Sequence, residues 1–475
     1  MRYEPFIAIL LSSICTVSVG WADPPQYFRH AGGQFNAVDI PSNFDRPGTL
    51  AWRQPLAIGH STPTITGDRI FLTTYSAEDQ KLATVALDRA TGRVLWERFA
   101  KTDHVEEVHR VSSPAAATVA TDGERVYTFF GSYGLLCYDL YGNRVWSHPL
   151  GPFQDEFGAA SSPILWNGTL FLNEDHDTNN YLYAFHAKTG KRQWQVPRNE
   201  FTRSYSTPVI FQQPGKSPEV VVAGALTLTS YDPASGERNW WINGLARIVN
   251  TTPAVHDGTL YVATWSPGGD VGERIAMDAW ENAARELDKN RDQKITRDEL
   301  SPGPVLNRFF RIDIDQDQGL DQEEWEKHAR VFELAENAIV AIRPRNEGEL
   351  DERSVLWRYS KGIPYVASPL FHEDVIYLVK DGGILTALDA RTGEARKRGR
   401  LKGRGNYYAS PIYADGKIYL ASEQGVITVV SASDEWQILD SFDFGEMIYA
   451  TPVVHQGRLY VRTDAALYCF KSSTN

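Results

Sequence analysis

The chain has 475 residues, 42% of them hydrophobic, and carries a formal net charge of -12. That is ample apolar material for a large core, and the acidic balance excludes a general nucleic-acid binder, whose affinity comes from Lys and Arg neutralising phosphates. Three cysteines in this length are too few for a disulfide framework.

Phe6 to Val19 is a short, mostly apolar run behind Arg2 and ahead of Gly20-Trp21-Ala22. It predicts a signal peptide over residues 1–22, cut before Asp23, and is too short to span a bilayer. Cys15 is read as unlipidated, because Ile14 precedes it where a lipoprotein signal wants a small residue. The expected location is periplasmic or secreted, with no transmembrane segment after cleavage. Residues 23–48 read as a leader.

From there β-grammar takes over. Ser-Pro or Thr-Pro dipeptides recur at Pro63, Pro114, Pro163, Pro208, Pro253, Pro369, Pro411 and Pro452, at intervals of 51, 49, 45, 45, 116, 42 and 41 residues. A period of 40 to 50 with short alternating apolar runs predicts one four-stranded sheet per unit, hence an all-β, eight-bladed β-propeller. The first unit shows the pattern: a strand after Thr62-Pro63, a turn at Gly67-Asp68, strands Ile70 to Tyr75 and Leu82 to Asp88, a turn at Ala90-Thr91-Gly92, and a fourth strand with Trp96. Glycine supplies the positive φ of such turns. Gly92, Gly142, Gly190 and Gly236 each stand four residues before a Trp, at Trp96, Trp146, Trp194 and Trp240, so the large rings should wedge between neighbouring blades. Cys137 and Cys469 fill the third-strand slot held elsewhere by Ala86, Ala184 and Ala387. They are expected to be buried free thiols, too far apart for a disulfide.

The last repeat stops after three strands at Phe470, and Leu50-Ala51-Trp52-Arg53 is a strand without a partner nearby, so it should complete blade eight and leave no open edge. Lys397 stands where blade six should carry its Trp, and blade seven has only Trp436, out of register; those seams are expected to be looser.

The Gly-x-x-x-Trp spacing, preceded by Ala86-Leu87-Asp88 or Ala387-Leu388-Asp389, resembles the pyrroloquinoline-quinone-like, or BamB-like, propeller repeat. The resemblance implies either a quinone-dependent alcohol dehydrogenase or a non-enzymatic propeller of the outer-membrane assembly machinery. The dehydrogenases typically carry a vicinal Cys-Cys pair, a carboxylate-rich calcium site and, in the haem-linked kinds, Cys-x-x-Cys-His. The chain has neither cysteine motif. Pyrroloquinoline quinone is therefore not expected, and a scaffold binding a protein or ligand is the reading. A quinone-dependent dehydrogenase and a carbohydrate-binding or carbohydrate-processing propeller are the alternatives.

The 116-residue interval is one blade plus an insertion at 266–336, dividing the propeller into 49–265 and 337–475. Ile275, Trp280, Ala283, Ala284 and Leu287 give an apolar helical face leading into Asp288, Asn290, Asp292, Lys294, Thr296 and Glu299, at loop positions 1, 3, 5, 7, 9 and 12. Asp313, Asp315, Asp317, Gly319, Asp321 and Glu324 repeat the spacing. Each loop resembles an EF-hand, in which oxygens at these positions surround one Ca²⁺ and the last residue is a bidentate Glu. Ile295 and Leu320 at position 8 would pair the loops, while Gln293 and Gln318 replace the glycine usual at position 6. Calcium is the expected cofactor.

Residues just ahead of the Ser/Thr-Pro dipeptides should ring one mouth of the central channel: His60, His109, Arg110, Arg203, Tyr205, Arg247, Asn250, Tyr365, Asn406, Tyr407, Tyr408 and Tyr449. Arginines and tyrosines together suit an anionic, partly aromatic ligand or a peptide of an envelope partner. Asp175-His176-Asp177 offers metal ligands or plain turn chemistry. Seven of the fourteen residues from Arg391 to Arg404 are Lys or Arg, a pattern that blocks edge pairing on an outer strand.

Overall fold

The structure is a computed structural model that describes residues 25–151, 153–198, 202–267, 269–270 and 274–473. The expected signal peptide and Cys15 lie outside these residues. Eight antiparallel sheets form a propeller. Blade one shows the common pattern: Thr64–Thr66 lines the channel, followed outward by Arg69–Ser76, Lys81–Asp88 and Val94–Phe99. The middle strands are buried on both faces between neighbouring blades, which is why they read as continuous apolar runs such as Leu170–Leu172 and Val220–Ala223.

Ring closure pairs Leu50–Pro55 with Ala466–Lys471, so the first strand of the ring is the outer strand of blade eight. Trp52 sits opposite Cys469 there, as Trp96 sits opposite Ala86 and Trp146 opposite Cys137. A small residue leaves room for each indole, and both cysteines are buried and unpaired.

Each of these indoles lies on the turn glycine of the next blade. A Cβ on Gly92 would meet Trp52 at 2.5 Å, on Gly142 Trp96 at 2.7 Å, on Gly190 Trp146 at 2.5 Å and on Gly393 Trp357 at 2.5 Å. The indole N–H then donates to a carbonyl of that same turn: Trp52 to Arg89, Trp96 to Leu140, Trp146 to Ala187, Trp194 to Pro233 and Trp357 to Ala390, at 2.9–3.2 Å. One residue thus fills the seam and satisfies its own polar atom.

The expected looseness of the two irregular seams is not found. Trp436 is only 3% exposed and lies against Gly399, with the Lys397 ammonium 4.9 Å above its ring, so the indole comes from blade seven instead of blade six. Its N–H, unlike the others, finds no acceptor among the described residues. Between blades seven and eight the filler is Phe44 of the leader, packed on Phe442 and Phe470 at 5.6 and 4.9 Å.

A second correction concerns Pro114. The innermost strand of blade two is Ala120–Thr121, so Thr118-Val119 takes the place of the Ser/Thr-Pro dipeptide and Ser113-Pro114 lies in the preceding loop. The reason is a hydroxyl belt. At six seams a Ser or Thr ahead of the innermost strand donates its backbone N–H to the matching hydroxyl of the next blade: Thr62 to Thr118, Thr118 to Ser162, Ser162 to Thr207, Thr252 to Ser368, Ser368 to Ser410 and Ser410 to Thr451, at 2.9–3.1 Å. The hydroxyl is what the seam requires. Proline follows it because the next N–H sits on a sheet edge, where a missing donor costs nothing.

The insert emerges between the second and third strands of blade five, Thr259–Thr264 and Ala338–Ile342, which pair directly. Asn337 clasps its neck, accepting from the Ser266 N–H at 2.9 Å and donating to the Ser266 carbonyl at 3.0 Å. The insert holds helices α1 (Trp280–Leu287), α2 (Pro304–Asn307), α3 (Phe309–Ile312) and α4 (Gln322–Leu334). Helix α1 begins only at Trp280, leaving Ile275 outside it. Trp280, Ala283, Ile295, Phe309, Ile312, Leu320 and Trp325 form a core separate from those of the blades.

Candidate functional site

The channel is a cup. Its wall is the hydroxyl belt, and above the belt stand His60, Phe157, Tyr205, Asn250, Tyr365, Tyr408 and Tyr449. The leader closes the far end: Gln26 bridges to Thr121 of blade two, Phe28 lines the cup, and Gln34–Phe35 pairs in parallel with Tyr413–Ala414 of blade seven. Arg29 fixes this strap by donating to the carbonyls of Pro369 and Gly32 at 2.7 and 2.8 Å.

At the open mouth the rings are ordered by stacking. His60 lies parallel to Tyr449 with centroids 4.1 Å apart, and Tyr408 lies on the same tyrosine at 5.4 Å. Burial, reinforced by Arg462, lowers the His60 pKa to about 3, so the imidazole is a neutral stacking partner. Glu423 anchors the group, accepting from Asn406 at 2.9 Å and from the Tyr449 hydroxyl at 3.4 Å. On the opposite side the Tyr205 hydroxyl donates to Asp155 at 2.7 Å, and Trp265 packs edge-on to Tyr365.

The structure thus brings His60, Tyr205, Tyr365, Tyr408 and Tyr449 into one cup, and places Arg203 and Arg247 beside it in a cleft under the insert. Arg110 stays exposed and lines neither. His109 packs on Phe157 at 4.9 Å. Tyr407, expected at the mouth, is 1% exposed and donates its hydroxyl to Gly403 at 3.0 Å; it turns into the blade core while Tyr408, one residue on and on the opposite side of an extended chain, faces the cup.

Asp175, His176 and Asp177 point three ways and do not converge on a metal. Asp175 holds buried Arg198 through two bonds of 2.7 and 2.8 Å. Asp177 holds Arg203 through two bonds of 2.7 and 2.6 Å, with Glu156 adding a third at 2.7 Å. His176 is clamped between Glu174 at 2.6 Å and Asp155 at 3.3 Å, and stacks on Phe153. Burial alone would lower its pKa, but the two carboxylates outweigh it and raise it to about 10. This buried network, invisible in sequence except as a cluster of charges, sets the position of Arg203 and Tyr205.

In the insert, Ile295 pairs with Leu320 and Thr296 with Gly319, so the two loops lie side by side. Gln293 and Gln318 take φ of 68° and 74°. Glu299 folds back over its loop, accepting from the N–H groups of Lys289 and Thr296 at 2.8 Å, and Glu324 does the same for Ile314 at 2.5 Å. In the first loop Asp288 accepts from the Arg291 and Gln293 N–H groups, Asn290 donates to Asp292 at 2.9 Å, and the Thr296 hydroxyl donates to Glu299. Lys294 reaches across to Asp317. In the second loop Asp313, Asp315 and Asp317 each offer an oxygen within 4.8 Å of the others, and buried Asp313 Oδ1 has no hydrogen-bond partner among the described residues. Asp321 caps α4 by accepting from the Glu324 N–H at 2.9 Å.

The insert leans on the ring beside the cup. Gln154, ahead of blade three, donates to the Ile314 carbonyl at 2.8 Å, and the hairpin of Asp177–Asn180 faces Asp315, Asp321 and Lys327 across a shallow pocket. A basic outer strand runs over Ala395–Arg400, where Arg396 pairs with Asp389 at 2.7 Å.

Among solved structures, BamB from Moraxella catarrhalis superposes with a TM-score of 0.51 at 13% identity, covering 91% of this chain and 99% of its own. Quinohemoprotein alcohol dehydrogenase from Comamonas testosteroni gives 0.55 at 11% identity, covering 93% and 79%. A computationally designed protein, Ika8, gives 0.54 at 9% identity, covering 89% and 100%. At these identities the likeness is one of fold alone. No curated protein matches the sequence. The family described as outer membrane protein assembly factor BamB matches over residues 42–175, 178–290 and 336–475, that is, the ring and the first part of the insert, and the chain belongs to that family.

Proposed function

We propose that this chain is a non-enzymatic binding scaffold of the cell envelope, periplasmic or secreted, whose working face is the mouth of the cup beside the insert. The observation that carries this reading is the chemistry of that mouth. Stacked His60, Tyr449 and Tyr408 face Tyr205 and Tyr365 across a belt of hydroxyls, a wall suited to hold an aromatic or peptidic group. Its carboxylates are engaged: Asp155 by Tyr205 and His176, Asp177 and Glu156 by Arg203, Glu423 by Asn406 and Tyr449. These pairings commit the carboxylates to holding the wall, and His60, kept neutral by burial, is a weak base. The family's description as an outer membrane protein assembly factor supports a protein partner in the envelope.

The insert is the calcium-binding part of this reading. Its donor set is all oxygen, which suits a hard cation, and the bare Oδ1 of Asp313 beside Asp315 and Asp317 is the group such an ion would satisfy. Left-handed Gln293 and Gln318 cost roughly 1 to 2 kcal/mol each, which places the affinity near the ~0.1 to 1 mM of extracellular modules.

Calcium titration followed by the fluorescence of Trp280 and Trp325 should saturate near two sites. Glu299→Gln with Glu324→Gln should abolish it, and unchanged binding in that double variant would sink the assignment. Supplying pyrroloquinoline quinone, Ca²⁺, an alcohol and an artificial electron acceptor should give no turnover; sustained alcohol oxidation would favour the dehydrogenase instead.

A further inference from the structure

The insert and the ring enclose a cleft that neither forms alone. From the ring come Arg203, Arg247, Phe157 and Tyr365; from the insert come Phe310 and Arg311. Arg203 is committed to Asp177 and Glu156. No hydrogen bond or ion pair among the described residues reaches the guanidinium of Arg247 or of Arg311. Burial first, and then the like charges of Arg203 and Arg311, lower the Arg247 pKa to about 10. Three guanidiniums thus face the carboxylates of Asp177 and Glu156, and Asp313, the other acid of the lining, belongs to the second loop. The three carboxylates of this lining match its three guanidiniums in number, but none of them pairs with Arg247 or Arg311.

We propose that this cleft is a binding site for a carboxylate carried on a flat apolar body, gripped between Arg247 of the ring and Arg311 of the insert. A guanidinium presents its N–H groups as a planar fork that matches a carboxylate, and the bond is strongest where water is excluded. The body of the ligand has its own walls: Phe157 and Tyr365 on the ring side and Phe310, 57% exposed, at the lip. Pairing also relieves the repulsion among the three arginines. The proposal deepens the scaffold reading above, on which it rests for the use of this face.

The test uses the full chain and 4-fluorobenzoate, followed by its ¹⁹F resonance, with 4-fluorobenzamide as the neutral shape-matched control and inorganic phosphate as an anion without an apolar body. Fluorobenzoate should bind saturably, at least tenfold more tightly than the benzamide or phosphate, since a hydrogen bond to a charged carboxylate is stronger than one to a neutral amide and phosphate has no apolar body. Arg247→Gln and Arg311→Gln should each weaken it about tenfold. Arg311 is exposed, so its variant should fold even if Arg247→Gln does not. Calcium titration of Arg311→Gln should be unchanged, so a failed cleft and a failed calcium lobe give different results. Equal binding of benzoate and benzamide, binding that survives Arg311→Gln, or no saturable binding in the parent each overturns the proposal.

Discussion

Substituting Gly142 by Ala tests whether the tryptophan seams carry stability. Gly142 has φ +82°, and a Cβ there would lie 2.7 Å from Cδ2 and 3.0 Å from Cγ of Trp96, in the seam between blades one and two. Gly168 has φ +75° and nothing within 4 Å of the same added atom. Ala in the left-handed region costs roughly 1 to 2 kcal/mol at either position. Only Gly142→Ala adds overpacking, about 1 to 3 kcal/mol in a filled core. Gly142→Ala should therefore lose about 2 to 5 kcal/mol and Gly168→Ala about 1 to 2, so the difference isolates the contact. Urea unfolding followed by fluorescence and circular dichroism measures both midpoints, with an unchanged slope showing that the same surface is exposed. In a Trp96→Val background the extra loss at Gly142 should disappear, because the two sites no longer touch. Equal shifts for the two glycine variants, or an extra loss that persists without Trp96, would refute the role given to the seam.

The calcium and fluorobenzoate titrations above are two further predictions. A third concerns pH. The folded pKa of His176, about 10, lies above the ~6.5 of an unfolded histidine, so its stabilisation is fully present below pH ~6.5 and is lost as pH rises towards 10. Glu106 and Glu174, both raised to about 7 by burial, act in the same direction between pH ~4.3 and 7. The melting temperature should fall from pH 6.5 to 9.5, more steeply in the parent than in His176→Asn, and a flat or rising parent curve would contradict this. A fourth concerns the insert: joining Ser266 to Asn337 through one glycine should keep the β-type circular dichroism and lose the helical part, because Thr264 and Ala338 already pair and the insert has its own core. Aggregation of the excised protein would show that the ring depends on the lobe.

The repeat was legible because most blades solve the same problem with the same residues. A turn glycine, a small third-strand residue and a tryptophan appear together, and Trp52 opposite Cys469 obeys the rule although 417 positions separate them. Pro114 misled because proline only accompanies the feature that matters, the hydroxyl accepting across the seam; Thr118 carries that feature without proline. Trp436 could not be placed from spacing alone, since it fills a blade-six gap from the far side. At the mouth, alternation separated Tyr408 from Tyr407 only once the strand start was known. The clamp on His176 joins Glu174 to Asp155, brought together by a loop whose path no local pattern encodes.

Closing the ring with Leu50–Pro55 against Ala466–Lys471 has a consequence for synthesis. The first strand of the ring waits for the last strand of the ring, so while the blades between them are made its partner does not yet exist. Seven blades can pair internally as they emerge, but the nascent chain remains an open arc with two unmated edges, the form most prone to pair with another molecule. Truncation after Val461 would remove one strand and leave that arc permanent, whereas a chain lengthened beyond Lys471 would still close. Quality control that acts on exposed edges would therefore register closure of the ring by the strand Ala466–Lys471.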